Sequence, residues 1–252
     1  MQTHSKTKEI LDKLVIKYET KDFIKNDPVQ FIHRFHKKED IEIIGFIASL
    51  LAFGKRELFI GKLEEFLSVS GNNISEFLKF GDFSKLNDFN YRFIKPKDFK
   101  EMLEILRNLY LNDGGLEELF KSAYIQGNGI NFQKIADYFY SRVKGEVGQG
   151  FYFMLPNPKC GGAMKRMNMF LRWMVRKSTV DMGIWSFMSP SELLIPLDVH
   201  VGRVSRKLGL LNRKSNDFKS VLEITNHLRE FCPADPIKYD FAMFGYGVNN
   251  KN

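Results

Sequence analysis

The chain reads as all-α, and three observations carry that expectation. Apolar residues recur at helical rather than alternating spacing almost everywhere, as in Ile10, Leu11, Leu14 and Val15 and again in Phe99, Met102, Leu103, Ile105, Leu106 and Leu109. Start and stop signals bound these runs, among them Asp27-Pro28, Asn112-Asp113-Gly114-Gly115 and Gly209. A hydrophobic share of 44% over 252 residues is enough for a proper core, and 8 Pro and 19 Gly are too few for a low-complexity chain.

Each element follows from such signals. Asp27 caps a helix through His36 with Pro28 at its first position, and Asp40 opens a strongly apolar helix that ends at Gly54. Lys55 to Leu67 completes a tight helical pair. From Gly71 to Asp98 the chain is rich in Asn, Gly and Phe, read as short helices and loops packed by Phe77, Phe80, Phe83, Phe89 and Phe93. Helices are expected at Lys97 to Leu111, Leu116 to Tyr124 and Asn131 to Val143. The turn LPNPKCGGAM then feeds a helix from Ala163 to Arg176 whose buried stripe is Met164, Met167, Phe170, Leu171 and Met174. That stripe leaves Lys165, Arg172 and Arg176 outside it. Asp198 caps the next helix, with Val201, Val204 and Leu208 inward and Gly209 as its stop, and helices at Phe218 to Phe231 and Pro236 to Phe244 finish the chain.

Several classes of protein are set aside by composition. Two cysteines, Cys160 and Cys232, cannot make a disulfide framework, a four-thiolate zinc site or an iron–sulfur cluster, so no metal and no cofactor is expected. His33 and His36 with Asp40 are read as surface or capping residues, and Cys160 as a loop thiol without function. The apolar run Ile43 to Phe53 is too short to span a bilayer, and MQTHSKTKEILDKL holds no apolar signal core, so a cytoplasmic protein with no membrane partner is expected.

The formal charge is +8, and its distribution is uneven. Between Lys159 and Lys214 stand eleven basic and three acidic side chains, which accounts for the whole excess. A polyanion, nucleic acid first, is the expected partner. The competing reading is a solvated basic face, or acids from elsewhere in the chain folding over it.

Two features now stand together: a turn rich in Gly and Pro ahead of the basic helix that begins near Lys165, and an aspartate that caps the next helix. Lys165-Arg166-Met167-Asn168 and, more specifically, Leu197-Asp198-Val199-His200-Val201-Gly202-Arg203-Val204 resemble the nucleophile and aspartate segments of the helix-hairpin-helix DNA glycosylases. That superfamily includes endonuclease III and the 8-oxoguanine glycosylases. The resemblance runs best from Phe151 to Gly209, and the whole chain looks closest to a bacterial family of unknown function that belongs with these enzymes. It implies two helical lobes with a helix-hairpin-helix element at the cleft, a central lobe over 41–197 and a terminal lobe from 1–40 with 198–252.

The same resemblance implies a monomeric, nucleoid-associated repair enzyme, a glycosylase with lyase activity on damaged double-stranded DNA. Lys165 would attack C1′ as a free amine and form a Schiff base, and Asp198 would stabilise the positive charge that develops on the sugar. Lys159, Gly161, Gly162, Arg166, Arg172, Arg176, Arg203, Arg206 and Lys207 would contact DNA, and Tyr152, Trp173 and Trp185 are candidates to stack on the extruded base. The spacing between Lys165 and Asp198 is more like that of the archaeal 8-oxoguanine glycosylases, which points to 8-oxoguanine. The turn is longer than the usual hairpin, and the four-cysteine cluster is missing. His200 is read as a packing residue. The rival readings are a non-catalytic helix-hairpin-helix module that binds DNA or RNA, with Lys165 as a phosphate contact, and a scaffold for a repair or replication complex.

Overall fold

A computed structural model describes residues 2–250, and their regular secondary structure is helical except for one two-stranded ribbon. In chain order the α-helices are α1 (Gln2–Tyr18), α2 (Lys21–Ile24), α3 (Lys38–Leu51), α4 (Arg56–Ser70), α5 (Ile74–Phe80), α6 (Pro96–Asn112) and α7 (Gly115–Ser122). The ribbon β1 (Tyr124–Ile125) and β2 (Gly129–Ile130) follows, then α8 (Phe132–Tyr140), α9 (Gln149–Met154), α10 (Lys165–Val175), α11 (Val199–Lys207), α12 (Phe218–Phe231) and α13 (Asp240–Asn249). The expected all-α class is what the protein has.

The chain forms two compact units, one from Asn26 to Cys160 and one from the residues up to Lys25 together with those from Gly161 onward. The lobes drawn from the sequence had their boundaries near 40 and 197. The helix that carries Lys165 lies instead with the terminal segments, because Arg172 on α10 and Arg176 at its C-cap pair with Glu19, Asp235 and Asp240.

In the unit Asn26–Cys160, α3 is the central element. Every residue from Asp40 to Leu51 is buried, as its nearly continuous apolar sequence requires. The segment after Asp27 is a 3-10 helix, Pro28–Arg34, rather than an α-helix; the Asp27 carboxylate accepts from the Val29 N–H at 3.0 Å, which closes a tight first turn. Aromatic rings fill the rest, with Phe89 stacked on Phe99 at 4.0 Å and Phe46 on Phe139 at 5.5 Å. Of the five phenylalanines assigned to packing, Phe83 and Phe89 are buried and Phe77 meets Phe66 and Phe83, but Phe80 and Phe93 are exposed. The ribbon and α9 have no clear sequence signal, since two-residue strands and a six-residue helix repeat their pattern too few times to be read.

In the other unit, α13 packs between α1 and α11. Gly247 makes the α11 contact possible: a Cβ there would stand 3.0 Å from the His200 Cβ and 3.2 Å from the His200 carbonyl oxygen. The His200 ring lies edge-on to Phe244 with its Nδ1 3.3 Å from the Gly247 carbonyl, so it packs against the last helix, which fits its reading as a packing residue.

Candidate active site

Two helix starts bring the lysine and the aspartate together within one unit. Asp198 has an extended backbone at the N-cap of α11, and its Oδ1 accepts from the His200 and Val201 N–H groups, each at 2.8 Å. That bond pair fixes the carboxylate and turns Oδ2 outward, and the positive end of the helix dipole favours a negative charge there. Lys165 is the first residue of α10, and its Nζ lies 3.7 Å from Asp198 Oδ2. The separation is longer than a direct hydrogen bond. The lysine side chain is 33% exposed and the aspartate 12%, so both can be reached from solvent.

Met164, just before Lys165, has φ 49 and ψ 32, a left-handed conformation rare for a non-glycine residue, and its side chain is buried. Such strain persists only where the surroundings over-determine it, and here it sets the direction in which α10 departs. On the other side, the Asn216 side chain donates to the Asp198 carbonyl oxygen at 3.3 Å and accepts from Arg206 at 2.7 Å. Gly162 pairs with Asp217 in an isolated bridge, which ties the turn before α10 to the segment before α12.

Beneath this pair lies a buried ion network that the sequence did not reveal. Arg172 Nε donates to Asp181 at 3.0 Å, its Nη1 donates to Asp240, and its guanidinium lies 4.0 Å over the Phe241 ring. Arg176 pairs with Asp181 at 2.8 Å, Asp235 at 2.9 Å and Glu19. Burial lowers the Arg176 value, and the carboxylates of Glu19, Asp181 and Asp235 more than offset that, holding the guanidinium above its ordinary value. Burial pushes the Asp240 carboxyl up to about 6; Arg172 opposes the rise, and the negative charges of Asp198 and Asp181 add to it. Asp240 is the residue the sequence analysis missed. Its only signal is an acid at the start of the apolar run Asp240-Phe241-Ala242-Met243.

A folded value raised above the ordinary carboxylate value stabilises the fold at low pH. That contribution is complete below the unfolded value near 3.8 and is lost as pH rises through about 6. Asp240→Asn is therefore expected to remove a decline in unfolding free energy of order 1–3 kcal/mol between those limits, whatever its effect at a single pH. Urea unfolding across that range is the check; parallel pH profiles for the two proteins would show that Asp240 does not titrate in it.

This geometry corrects much of the expected DNA contact surface. Arg172 and Arg176 are only 2% and 5% exposed and are held by carboxylates, so they are not available to phosphates. Arg203 donates to the Gly247 and Asn250 carbonyls, and Arg206 to the carbonyls of Arg213, Lys214 and Ser215, so both close the end of their own unit. Arg166 is half-buried, and burial pulls its guanidinium down to about 10. Lys159, Gly161, Gly162 and Lys207 are exposed, as are Lys177 and Lys214. Within the basic segment, Arg172 and Arg176 are thus neutralised by Asp181 from inside it and by Glu19, Asp235 and Asp240 from outside it. Trp173 and Trp185 are core residues, fully and almost fully buried, with Trp185 edge-on to Phe170, so neither ring is presented for stacking. Tyr152 is 48% exposed, but it sits on α9 in the unit that does not carry Lys165. Asp40 is buried and accepts from the Ser75 N–H at 2.6 Å, a capping role at the start of α5.

Among the described residues, no three His, Cys, Asp or Glu side chains gather as a metal-binding group, and no helix is long and apolar enough to cross a membrane. Residues 27–249 match a family described as Protein of unknown function (DUF2400). No curated protein and no solved structure matches the chain. The family found is one of unknown function and not the helix-hairpin-helix glycosylases, which corrects the resemblance drawn from Leu197 to Val204. The physical reason is that an aspartate N-cap followed by buried apolar residues at helical spacing, here Val201 and Val204, is an ordinary start of an amphipathic helix. Eight positions of that kind do not establish kinship.

Proposed function

From a chain that belongs to the DUF2400 family, we propose on its own residues an enzyme that releases a damaged base from DNA through a lysine Schiff base. The observation that carries this reading is the 3.7 Å approach of Lys165 Nζ to Asp198 Oδ2 at a partly exposed site. The chemistry needs these two groups. The unprotonated Lys165 amine attacks C1′ as the N-glycosidic bond breaks and the base leaves with the bonding electrons; the C1′–O4′ bond then opens as the nitrogen lone pair forms the C=N bond. Asp198 offsets the positive charge that develops on the sugar, and it can accept a proton from the attacking amine and return it to O4′ as the ring opens. The exposed Lys177, Lys207 and Lys214, with a formal charge of +8, favour a polyanionic substrate. A protein with this substrate would sit with the nucleoid.

The experiment is borohydride trapping of the wild type on duplexes that carry 8-oxoguanine, uracil, an alkylated purine or an abasic site. A covalent protein–DNA species on at least one of them is expected. Asp198→Asn keeps a good N-cap, so the fold should survive while base release slows by about a hundredfold. If the wild type is trapped on none of these DNAs, the enzymatic reading fails, and a non-catalytic nucleic-acid-binding protein with Lys165 as a phosphate contact becomes the better account.

A further inference from the structure

Three phenylalanines form an exposed cluster in the unit Asn26–Cys160. Phe53 follows α3, Phe93 stands at a turn tip, and Phe153 lies on α9; their ring centroids are 5.5 Å apart for Phe53 and Phe93, 4.7 Å for Phe53 and Phe153, and 4.3 Å for Phe93 and Phe153. Phe93 and Phe153 remain 40% and 39% exposed, although burying these rings would be favourable.

The cluster is held in place from three sides. The turn is closed by the Tyr91 N–H donating to the Ile94 carbonyl at 3.0 Å and the Ile94 N–H donating to the Tyr91 carbonyl at 2.9 Å, which leaves Arg92 and Phe93 at its tip. The Tyr91 hydroxyl donates to the Phe53 carbonyl. On the third side α9 approaches so closely that a Cβ on Gly150 would stand 2.7 Å from both the Phe93 carbonyl oxygen and the Ile94 Cα. Arg92 has φ 54, a position in a two-residue turn that glycine or asparagine takes readily and arginine does not. Its guanidinium lies 5.9 Å from the Phe53 ring. Lys55 and Lys95, both exposed, follow Phe53 and Phe93 at two residues' distance.

We propose that this patch stacks on unpaired bases of a nucleic-acid strand, with Arg92, Lys55 and Lys95 contacting the phosphates. Aromatic faces flanked by cations are the composition that binds single strands without sequence preference. The centre of a protein interface is by contrast depleted in lysine. A strained arginine at the tip places a charge beside exposed rings, which a purely apolar partner would have to desolvate. The inference rests on the reading that the chain works on DNA and adds an unpaired-strand contact in the unit without Lys165.

The test uses the full chain, undamaged DNA and fixed salt. Anisotropy is read on a labelled oligothymidylate of about 20 nucleotides and on a duplex of equal length, and stacking on an oligonucleotide that contains 2-aminopurine. Phe93→Ala with Phe153→Ala is expected to weaken single-strand binding by at least about tenfold, to change duplex binding by less than about twofold, and to abolish the 2-aminopurine quenching expected of the wild type. Arg92→Gly relieves the backbone strain, so it should fold at least as well as the wild type and yet bind the single strand more weakly. Undiminished single-strand binding by the folded double variant, or no 2-aminopurine response to the wild type, overturns the proposal. Absent trapping with intact single-strand stacking would instead sink only the enzymatic reading.

Discussion

Lys165→Gln is expected to abolish borohydride trapping on every DNA that traps the wild type, while most DNA binding remains. An imine requires a primary amine, and glutamine supplies none, so no residual covalent species should form at this position. Binding should persist because one exposed-side cation among many is lost, which removes about one unit from the log–log salt slope. Stability should change by less than about 1 kcal/mol, since the pair with Asp198 is partly exposed and 3.7 Å long. The readout is a gel-resolved covalent complex, with equilibrium binding and thermal unfolding measured on the same preparations. Trapping that continues undiminished in the variant would assign the nucleophile to another amine and remove Lys165 from the chemistry.

Arg172→Ala is expected to cost about 3–5 kcal/mol, enough to unfold a marginally stable unit. The guanidinium is the partner of two buried carboxylates, Asp181 and Asp240, which are 2% and 5% exposed. Its removal leaves both charges without their arginine in a dry interior, the costly half of the asymmetry between making and breaking a buried pair. Arg176 can still serve Asp181 at 2.8 Å, so Asp240 bears most of the loss. Urea unfolding decides the matter. A cost below about 1 kcal/mol, joined to weaker DNA binding, would return Arg172 to the phosphate-contacting role that its sequence position implied.

How far the site was legible is clear from particular residues. Asp198 announces itself as an N-cap because the start of α11 is a local event, written within four residues, and the paired N–H groups of His200 and Val201 follow from it. Lys165 and Asp198 are set in one site only by the family resemblance, since local signals say nothing about two residues 33 positions apart meeting at 3.7 Å. Arg172 and Arg176 were misread for the same reason. Periodicity places a side chain on or off an apolar stripe, and it cannot say that the other face also meets Asp240 and Phe241 at the start of α13 and Glu19 just after α1.

The sequence by itself determined the all-α class, most helix bounds to within a few residues, and the caps at Asp27 and Asp198, because propensity, capping and apolar spacing act over a few residues of chain. Only the tertiary structure decided where the boundary between units falls, which cations are neutralised, and that Asp240 lies in the electrostatic reach of Asp198. These depend on charges brought together from Glu19, Asp181, Asp235 and Asp240, up to 157 positions from Arg176. Electrostatic energy follows separation in space and burial, and neither is encoded by separation along the chain.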